Sequence, residues 1–487
     1  MNKLAVFHIS SCVTLVIGLM MALCGALSFY WNDPTAVRNG LFFAAGVTVI
    51  LSLILFFLTR GEINLSRRDG FGVVTFSWIF AALFGALPYM FSGVIPNAGE
   101  AVFETMSGFT TTGASVLPSG AYPTLESIPR GILFWRSLTQ WLGGMGVLVL
   151  CLAILPFLGV GGMQIYRAEM PGPSKDRLTP HIATTAKLLW GVYLLMTLSQ
   201  TLLLHLTAGL PWFDALCHSF TTVATGGFST RTGSIGAYNS VAADCIVTVF
   251  TFIAGISFSL HYRALSGRPL CYFRDPEFRL YLIFWLVASL FITASIFPLF
   301  SSAGVALRAA FFQSTTIITT TGFSTANYDL WPPASRFILG LMMFTGACAG
   351  STTGGVKLVR VFIALKKSLK EVRQFMRPQA VLQIKLGGRP VDDEVEANIA
   401  AFFGLYLCVF ITASFIMTFF LPDIGSAVTS VITTLSNVGP GFGAIGPVSN
   451  YADISFGGQL VLTVCMLLGR LELYTVLVFL LPGFWKK

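Results

Sequence analysis

The sequence predicts an all-α polytopic membrane protein: two leading transmembrane helices, then four related units of span, short helix and span. Three observations predict it. Only 10% of the 487 residues are charged against 55% hydrophobic, with 44 Phe and a mean hydropathy of +0.77. Soluble domains carry roughly 25% charged residues, and this chain has too few to clothe a soluble surface of its size. Apolar runs long enough to cross a bilayer recur along the whole chain, and a short Thr/Gly-rich segment recurs four times between them.

A bilayer core of ~30 Å needs about 20 apolar residues per helix. Runs of that kind lie near 4–30, 39–59, 71–93, 131–163, 184–210, 241–262, 278–300, 397–421 and 456–485. The first follows Lys3, is longer than a signal-peptide core and has no small-residue cleavage site, so a retained helix is expected. A tenth run, near 335–367, is interrupted by the small residues Gly346 to Gly355. Shorter apolar segments near 97–112, 212–225, 306–320 and 425–437 cannot cross and suit re-entrant half-helices. The expected division is 1–68 for the leading helices, then units at 69–178, 179–275, 276–390 and 391–487.

Charge sets the orientation. Lys3, Arg60, Arg67, Arg68, Arg167, Lys175, Arg177, Lys187, Arg263, Arg268, Arg274, Arg279, the basic stretch from Lys357 to Arg389, and Lys486 and Lys487 fall on one side. The positive-inside rule makes that side cytoplasmic, with both termini there. The net charge of +9 then reflects topology and attraction to anionic lipid, not a nucleic-acid patch. The nine Cys form no CxxC pair, so buried reduced thiols are expected and no zinc site or disulfide framework. No HExxH, GxSxG or Walker string occurs, which argues against an enzyme. The GFGAIG string from Gly441 matches GxGxxG but has no preceding strand or βαβ context, so no nucleotide is expected in this chain.

The four short segments share one pattern. They run AVFETMSGFTTTGAS from Ala101, ALCHSFTTVATGGFS from Ala215, AFFQSTTIITTTGFS from Ala310 and AVTSVITTLSNVGPG from Ala427. In each, the Ala stands twelve residues before a Gly: Gly113, Gly227, Gly322 and Gly439. A Thr/Gly strand at membrane depth must line a polar cavity, because lipid would leave its backbone unsatisfied. Four such strands about one axis present carbonyls that can replace the hydration shell of a monovalent cation. Gly permits the backbone angles, and each half-helix aims its negative C-terminal end at the pore. Nine residues before each Gly stand Glu104, His218, Gln313 and Ser430; their types differ, so they read as polar anchors of the short helices rather than ion ligands.

These repeats resemble those of the Trk/Ktr/HKT superfamily of potassium transporters, and the whole chain resembles its TrkH/TrkG branch. The carrying strings are FWRSLTQWLGGMG (134–146), ATGGFST (224–230), TTTGFST (319–325), GACAGSTTGG (346–355), SNVGPG (436–441) and LLGRLELYTVL (467–477). The resemblance implies a pseudo-fourfold pore with K⁺ as the transported ion, in a bacterial inner-membrane uptake subunit. Its K⁺ filter would be Thr111, Thr112 and Gly113; Thr225, Gly226 and Gly227; Thr320, Thr321 and Gly322; and Asn437, Val438 and Gly439. It also implies a homodimer and a cytosolic nucleotide-binding TrkA-like ring.

Gly346, Ala347, Cys348, Ala349, Gly350, Ser351, Thr352, Thr353, Gly354 and Gly355 are expected to form an intramembrane gate loop. Such a stretch has low helix propensity and little bulk. No comparable insertion is expected in the other units, and Lys357 after the loop is expected to face the cytosol. Ionisable residues within spans are functional candidates, and Arg470, Glu472 and Lys357 are expected to be the charges of the pore. Arg470, at the depth of Gly350, would sit below the filter and repel cations, or pair with Glu472 or pore carbonyls. The alternative to passive conduction is a H⁺- or Na⁺-coupled symporter, with Glu104, His218 and Glu472 as coupling candidates.

Overall fold

The computed structural model describes residues 2–61, 66–118, 120, 122–146, 182–379 and 382–485. The leading helices, Lys3–Tyr30 and Thr35–Leu58, form an antiparallel hairpin. Small and hydroxylated residues let them approach closely, as expected where lipid supplies no hydrophobic drive between helices. Gly18 abuts Val49, and Ser52 Oγ donates to Thr14 Oγ1 at 2.7 Å. The hairpin turn delivers Asp33 to the first unit. Its carboxylate accepts from the amides of Arg130 and Gly131 at 3.0 and 2.8 Å, an anion on a helix N-terminus.

Four units follow. In the first, the outer helix Arg67–Gly85 continues as Leu87–Phe91, the pore helix is Ala98–Phe109 and the inner helix begins as Arg130–Gly144. The second has Ile182–Leu206, Trp212–Val223 and Val241–Ala254; the third Pro276–Ile296, Ala303–Ile318 and Pro333–Thr345; the fourth Asp393–Met417, Ile424–Leu435 and Phe456–Arg470. Local sequence starts these helices where it should. Ser66 and Asp69 make a capping box, and Asn97, Ser302 and Asp423 cap three of the pore helices.

The inner spans differ from the expected continuous crossings. Among the described residues, six helices are long and apolar enough to cross alone, or seven when the bent pair Val241–Ala254 and Phe258–Leu265 counts as one. That pair bends by 99° at Gly255 to Ser257. The third inner helix stops at Thr345 and resumes at Leu358, and the fourth stops at Arg470, where Glu472 and Leu473 take φ of 55° and 56°. The first reaches Gly146 at φ 71°, and residues 147–163 of its expected run lie outside the described residues, as do Arg167, Lys175, Arg177, Lys486, Lys487 and Cys151. Among the described residues, therefore, a break is not peculiar to the third unit. Left-handed backbone marks the third break at Gly346, Gly350, Gly355 and Lys357 and the fourth at Glu472 and Leu473, whereas the second bends without it.

Cysteine burial is mixed. Cys24, Cys217, Cys348 and Cys465 are buried as expected, whereas Cys245 and Cys408 lie on outward helix faces; all eight described are free thiols. The GFGAIG string forms a short 3-10 turn over Gly443–Ile445, tied to Asp329 and Ser426.

Candidate functional site

Every pore helix ends the same way. The residue after its cap enters the left-handed region: Thr111 at φ 54°, Thr225 at 53°, Thr320 at 55° and Asn437 at 55°. Its amide donates to the carbonyl three positions back, on Gly108, Thr222, Ile317 and Thr434 respectively. The next amide reaches five positions back, from Thr112 to Ser107, Gly226 to Thr221, Thr321 to Thr316 and Val438 to Thr433, at 2.7–2.9 Å. The third residue is the Gly, again left-handed, with φ of 81°, 80°, 81° and 94°. Positive φ in a β-branched residue is a true outlier, and three of these four first positions are Thr. Each outlier costs on the order of 1–3 kcal/mol and persists only where surrounding structure enforces it. Four matched outliers at four helix C-termini locate the site.

The strands close into a ring. A Cβ on Gly113 would be driven against the carbonyl oxygen of Gly226, on Gly227 against that of Thr321, on Gly322 against that of Val438 and on Gly439 against that of Thr112, each within 3.0 Å. Each glycine of one unit thus abuts the middle carbonyl of the next, in the order one, two, three, four and back to one. The twelve residues expected as filter all lie in this ring. Helix dipoles from four pore helices converge on it with their negative ends.

Three of the four residues nine before each glycine hold the chain leaving the ring. Glu104 accepts from Ser115 Oγ at 3.0 Å and the Val116 amide at 2.9 Å. His218 Nδ1 donates to the Asp214 carbonyl at 2.8 Å and its Nε2 meets Ser229 Oγ at 2.9 Å. Gln313 Oε1 accepts from the Thr325 amide at 3.1 Å, whereas Ser430 bonds within its own helix to Ala427. These side chains anchor, as their mixed types imply. Glu104 also takes Arg136 Nε at 2.6 Å in a pair whose side chains are 0% and 4% exposed. Arg136 reaches into the second unit, donating to the Ser229 carbonyl at 2.9 Å and lying 3.5 Å over the Phe228 ring. Glu104→Ala would leave that guanidinium buried without its counter-charge, at about 3–5 kcal/mol. A lowered thermal unfolding midpoint in detergent is expected, partly recovered by adding Arg136→Met; an unchanged midpoint would show that solvent reaches the pair.

Beneath the ring lies the loop 346–355. Gly346, Gly350 and Gly355 have φ of 65°, 73° and 74°. The Cys348 amide donates to the Gly255 carbonyl, the Phe258 amide to that of Gly350, and the Ala349 amide to Glu277 Oε1 at 2.6 Å. Three strands of the ring touch the loop. Thr225 Oγ1 meets Thr352 Oγ1 at 3.3 Å, the Gly354 amide donates to Thr320 Oγ1 at 2.7 Å, and a Cβ on Gly354 would strike the Ser436 carbonyl and Asn437. Arg470 meets the remaining strand: its Nη1 donates to Thr111 Oγ1 at 3.1 Å and to the Thr352 carbonyl at 3.0 Å. Its Nη2 donates to the Gly143 and Gly144 carbonyls at 2.5 and 2.9 Å. Loop and guanidinium together underlie all four strands.

The other two charges fall differently from expectation. Glu472 lies 2.5 Å from Arg360 Nη2. Lys357 is buried rather than cytosol-facing, and its Nζ folds back onto the carbonyl and hydroxyl of Thr353, the latter at 3.1 Å. Its own φ of 77° turns the chain into the helix Leu358–Met376. That helix is held by Lys370, whose Nζ meets Glu396 at 3.0 Å; this bond and the nearby Asp393 raise the ammonium above its ordinary range.

Several site residues escape sequence reasoning. Arg136 and Gln140 lie in the FWRSLTQWLGGMG string four residues apart, one turn of a helix face, and that spacing was the available signal. Tyr451, whose hydroxyl donates to the Gly439 carbonyl at 2.6 Å, carries no such signal.

Comparison with known proteins follows the same outline. Residues 38–486 match the family model TrkH, described as a cation transport protein. The chain is 40% identical to the Trk system potassium uptake protein TrkH of Salmonella typhimurium, over 98% of this chain and 99% of that protein. It is 35% identical to the Trk system potassium uptake protein TrkG of Escherichia coli, over 88% and 87%. The crystal structure of the potassium transporter TrkH from Vibrio parahaemolyticus superposes with a TM-score of 0.88 at 34% identity, covering all of both chains.

Proposed function

This chain belongs to the TrkH family of cation transport proteins, and from that premise we propose that it conducts K⁺ into the cell through the four-strand ring. One observation carries the reading: four left-handed Thr or Asn residues and four left-handed glycines recur at matched positions and interlock in cyclic order. Backbone oxygens from the twelve residues Thr111–Gly113, Thr225–Gly227, Thr320–Gly322 and Asn437–Gly439 replace the hydration shell of the ion. The loop 346–355 is the gate, and Arg470 places a positive charge directly under the ion path. Lys357 and Glu472 fix the loop's exit and the fourth break rather than facing the ion.

The protein sits in the bacterial inner membrane with both termini cytoplasmic, consistent with the clustering of Lys and Arg. Relatives that belong to a Trk system support further components, and a homodimer with a cytosolic nucleotide-binding TrkA-like ring is the assembly we favour. Symport is the second reading. It needs a titrating side chain on the path, and Glu104, His218 and Glu472 are each engaged in structural bonds. The test is ion flux in liposomes holding the purified protein, with the K⁺ gradient and the pH set independently. Conduction predicts flux that follows the K⁺ gradient at any pH gradient. Uphill K⁺ movement driven by a pH or Na⁺ gradient would establish symport instead.

A further inference from the structure

The second strand of the ring lacks a hydroxyl pair that the first and third share, as does the fourth, where Ser436 and Val438 stand at those places. In the first and third strands the middle residue is Thr, and its hydroxyl pairs with that of the helix-capping Thr. Thr112 Oγ1 lies 2.8 Å from Thr110 Oγ1, and Thr321 Oγ1 lies 2.9 Å from Thr319 Oγ1. The second strand has Ala224 and Gly226 at those places and lacks both hydroxyls. Gln140, from the inner helix of the first unit, fills the space. Its Nε2 donates to the Gly226 carbonyl at 2.6 Å, and its Oε1 accepts from the Phe228 amide at 3.0 Å. These two bonds bracket Gly227, the residue held at φ 80°.

Steric contacts make the exchange mutual. A Cβ on Gly226 would press into the Gln140 amide within 3.0 Å, so glycine at this place is a consequence of glutamine at the other. Ala224 in turn packs directly on Gly144, where the first inner helix breaks. A Thr pair therefore has no room in this strand, and the neighbouring unit supplies its restraint. Gln140 is fully buried, so both bonds form away from competing bulk water.

We propose that Gln140 is a specificity-determining positioning residue: it fixes the second strand at the spacing that suits dehydrated K⁺ and so supports exclusion of Na⁺. The proposal rests on the reading of the ring as the K⁺ path. Discrimination between ions of one charge depends on how far ring oxygens can close on the smaller ion. A strand tied at both sides of its left-handed glycine resists that closure.

Gln140→Met keeps the volume and removes both bonds. In liposomes it should lower the K⁺/Na⁺ flux ratio about tenfold, comparable to one or two lost hydrogen bonds, while total flux persists. Gly226→Thr alone should lower the thermal unfolding midpoint, and combining it with Gln140→Ala should recover much of that loss, because the amide no longer fills the space. A Gln140→Met protein that retains the wild-type ratio, when Gly322→Ser abolishes it in parallel, overturns the proposal and leaves the ring reading intact. Equal losses for Gly226→Thr with and without Gln140→Ala would overturn the steric exchange. If Gly322→Ser also keeps the wild-type ratio, the ring reading itself falls.

Discussion

Gly322→Ser is expected to abolish K⁺/Na⁺ discrimination while the protein still inserts and purifies. Two effects act together at this position. Its φ of 81° is a backbone state that an L-residue with Cβ enters only at a cost of roughly 1–2 kcal/mol. The new Cβ would also press on the Val438 carbonyl and the Pro440 ring, which leaves no flexible side chain to yield. The Val438 amide is already tied to Thr433 at 2.7 Å, so the fourth strand cannot simply retreat. The third and fourth strands must spread, and the cation loses ring oxygens at that seam. A fall in the flux ratio of at least about tenfold corresponds to little more than 1.4 kcal/mol of differential coordination. Gly113, Gly227 and Gly439 face the same conflict with the next unit and should behave alike. Wild-type selectivity in Gly322→Ser at normal protein levels would remove the ring from the ion path.

The ring was legible in the sequence because its requirement is local. A Gly recurring twelve residues after the Ala marks a left-handed position at low cost, and the Thr/Gly string cannot face lipid, so spacing exposes Gly113, Gly227, Gly322 and Gly439. The outer and leading helices were legible for the same reason: a long apolar run has one stable place. The broken inner helices were not. Runs such as 456–485 are long and largely apolar, and their length does not say that Glu472 and Leu473 leave the helix, which is decided by packing under the ring. Charge alone places Lys357 in the cytosol, yet the chain reversal at that residue returns its ammonium to Thr353. Gln140 was invisible as a clamp because its partners, Gly226 and Phe228, lie in another unit and no periodicity joins them.

Deleting several residues from the loop 346–355 is expected to raise ion flux and to weaken its dependence on a cytosolic partner. The loop touches three strands through Thr352, Gly354 and their neighbours, and Arg470 bridges it to the fourth through Thr111 and the Thr352 carbonyl. Shortening it removes both the contacts with those strands and one of the oxygens that hold the guanidinium. A positive charge several ångströms from the path opposes cation occupancy by on the order of 2 kcal/mol at an effective dielectric of about 20. That corresponds to roughly thirtyfold in occupancy. Arg470→Gln should therefore also raise flux, by less than the deletion, and the two together should give less than the product of their separate effects, since both act on one contact. The helix Leu358–Met376 leads from this site into the Lys- and Arg-rich side: it starts at the loop's exit and is moored by Lys370 to Glu396 at 3.0 Å. A partner pulling on that helix would draw Gly354 from Thr320 and Thr352 from Thr225, bonds that many backbone and hydroxyl groups nearby can replace. Unchanged or reduced flux in a deletion protein that folds and dimerises would sink the gate and leave a static kink that lets the third unit pack.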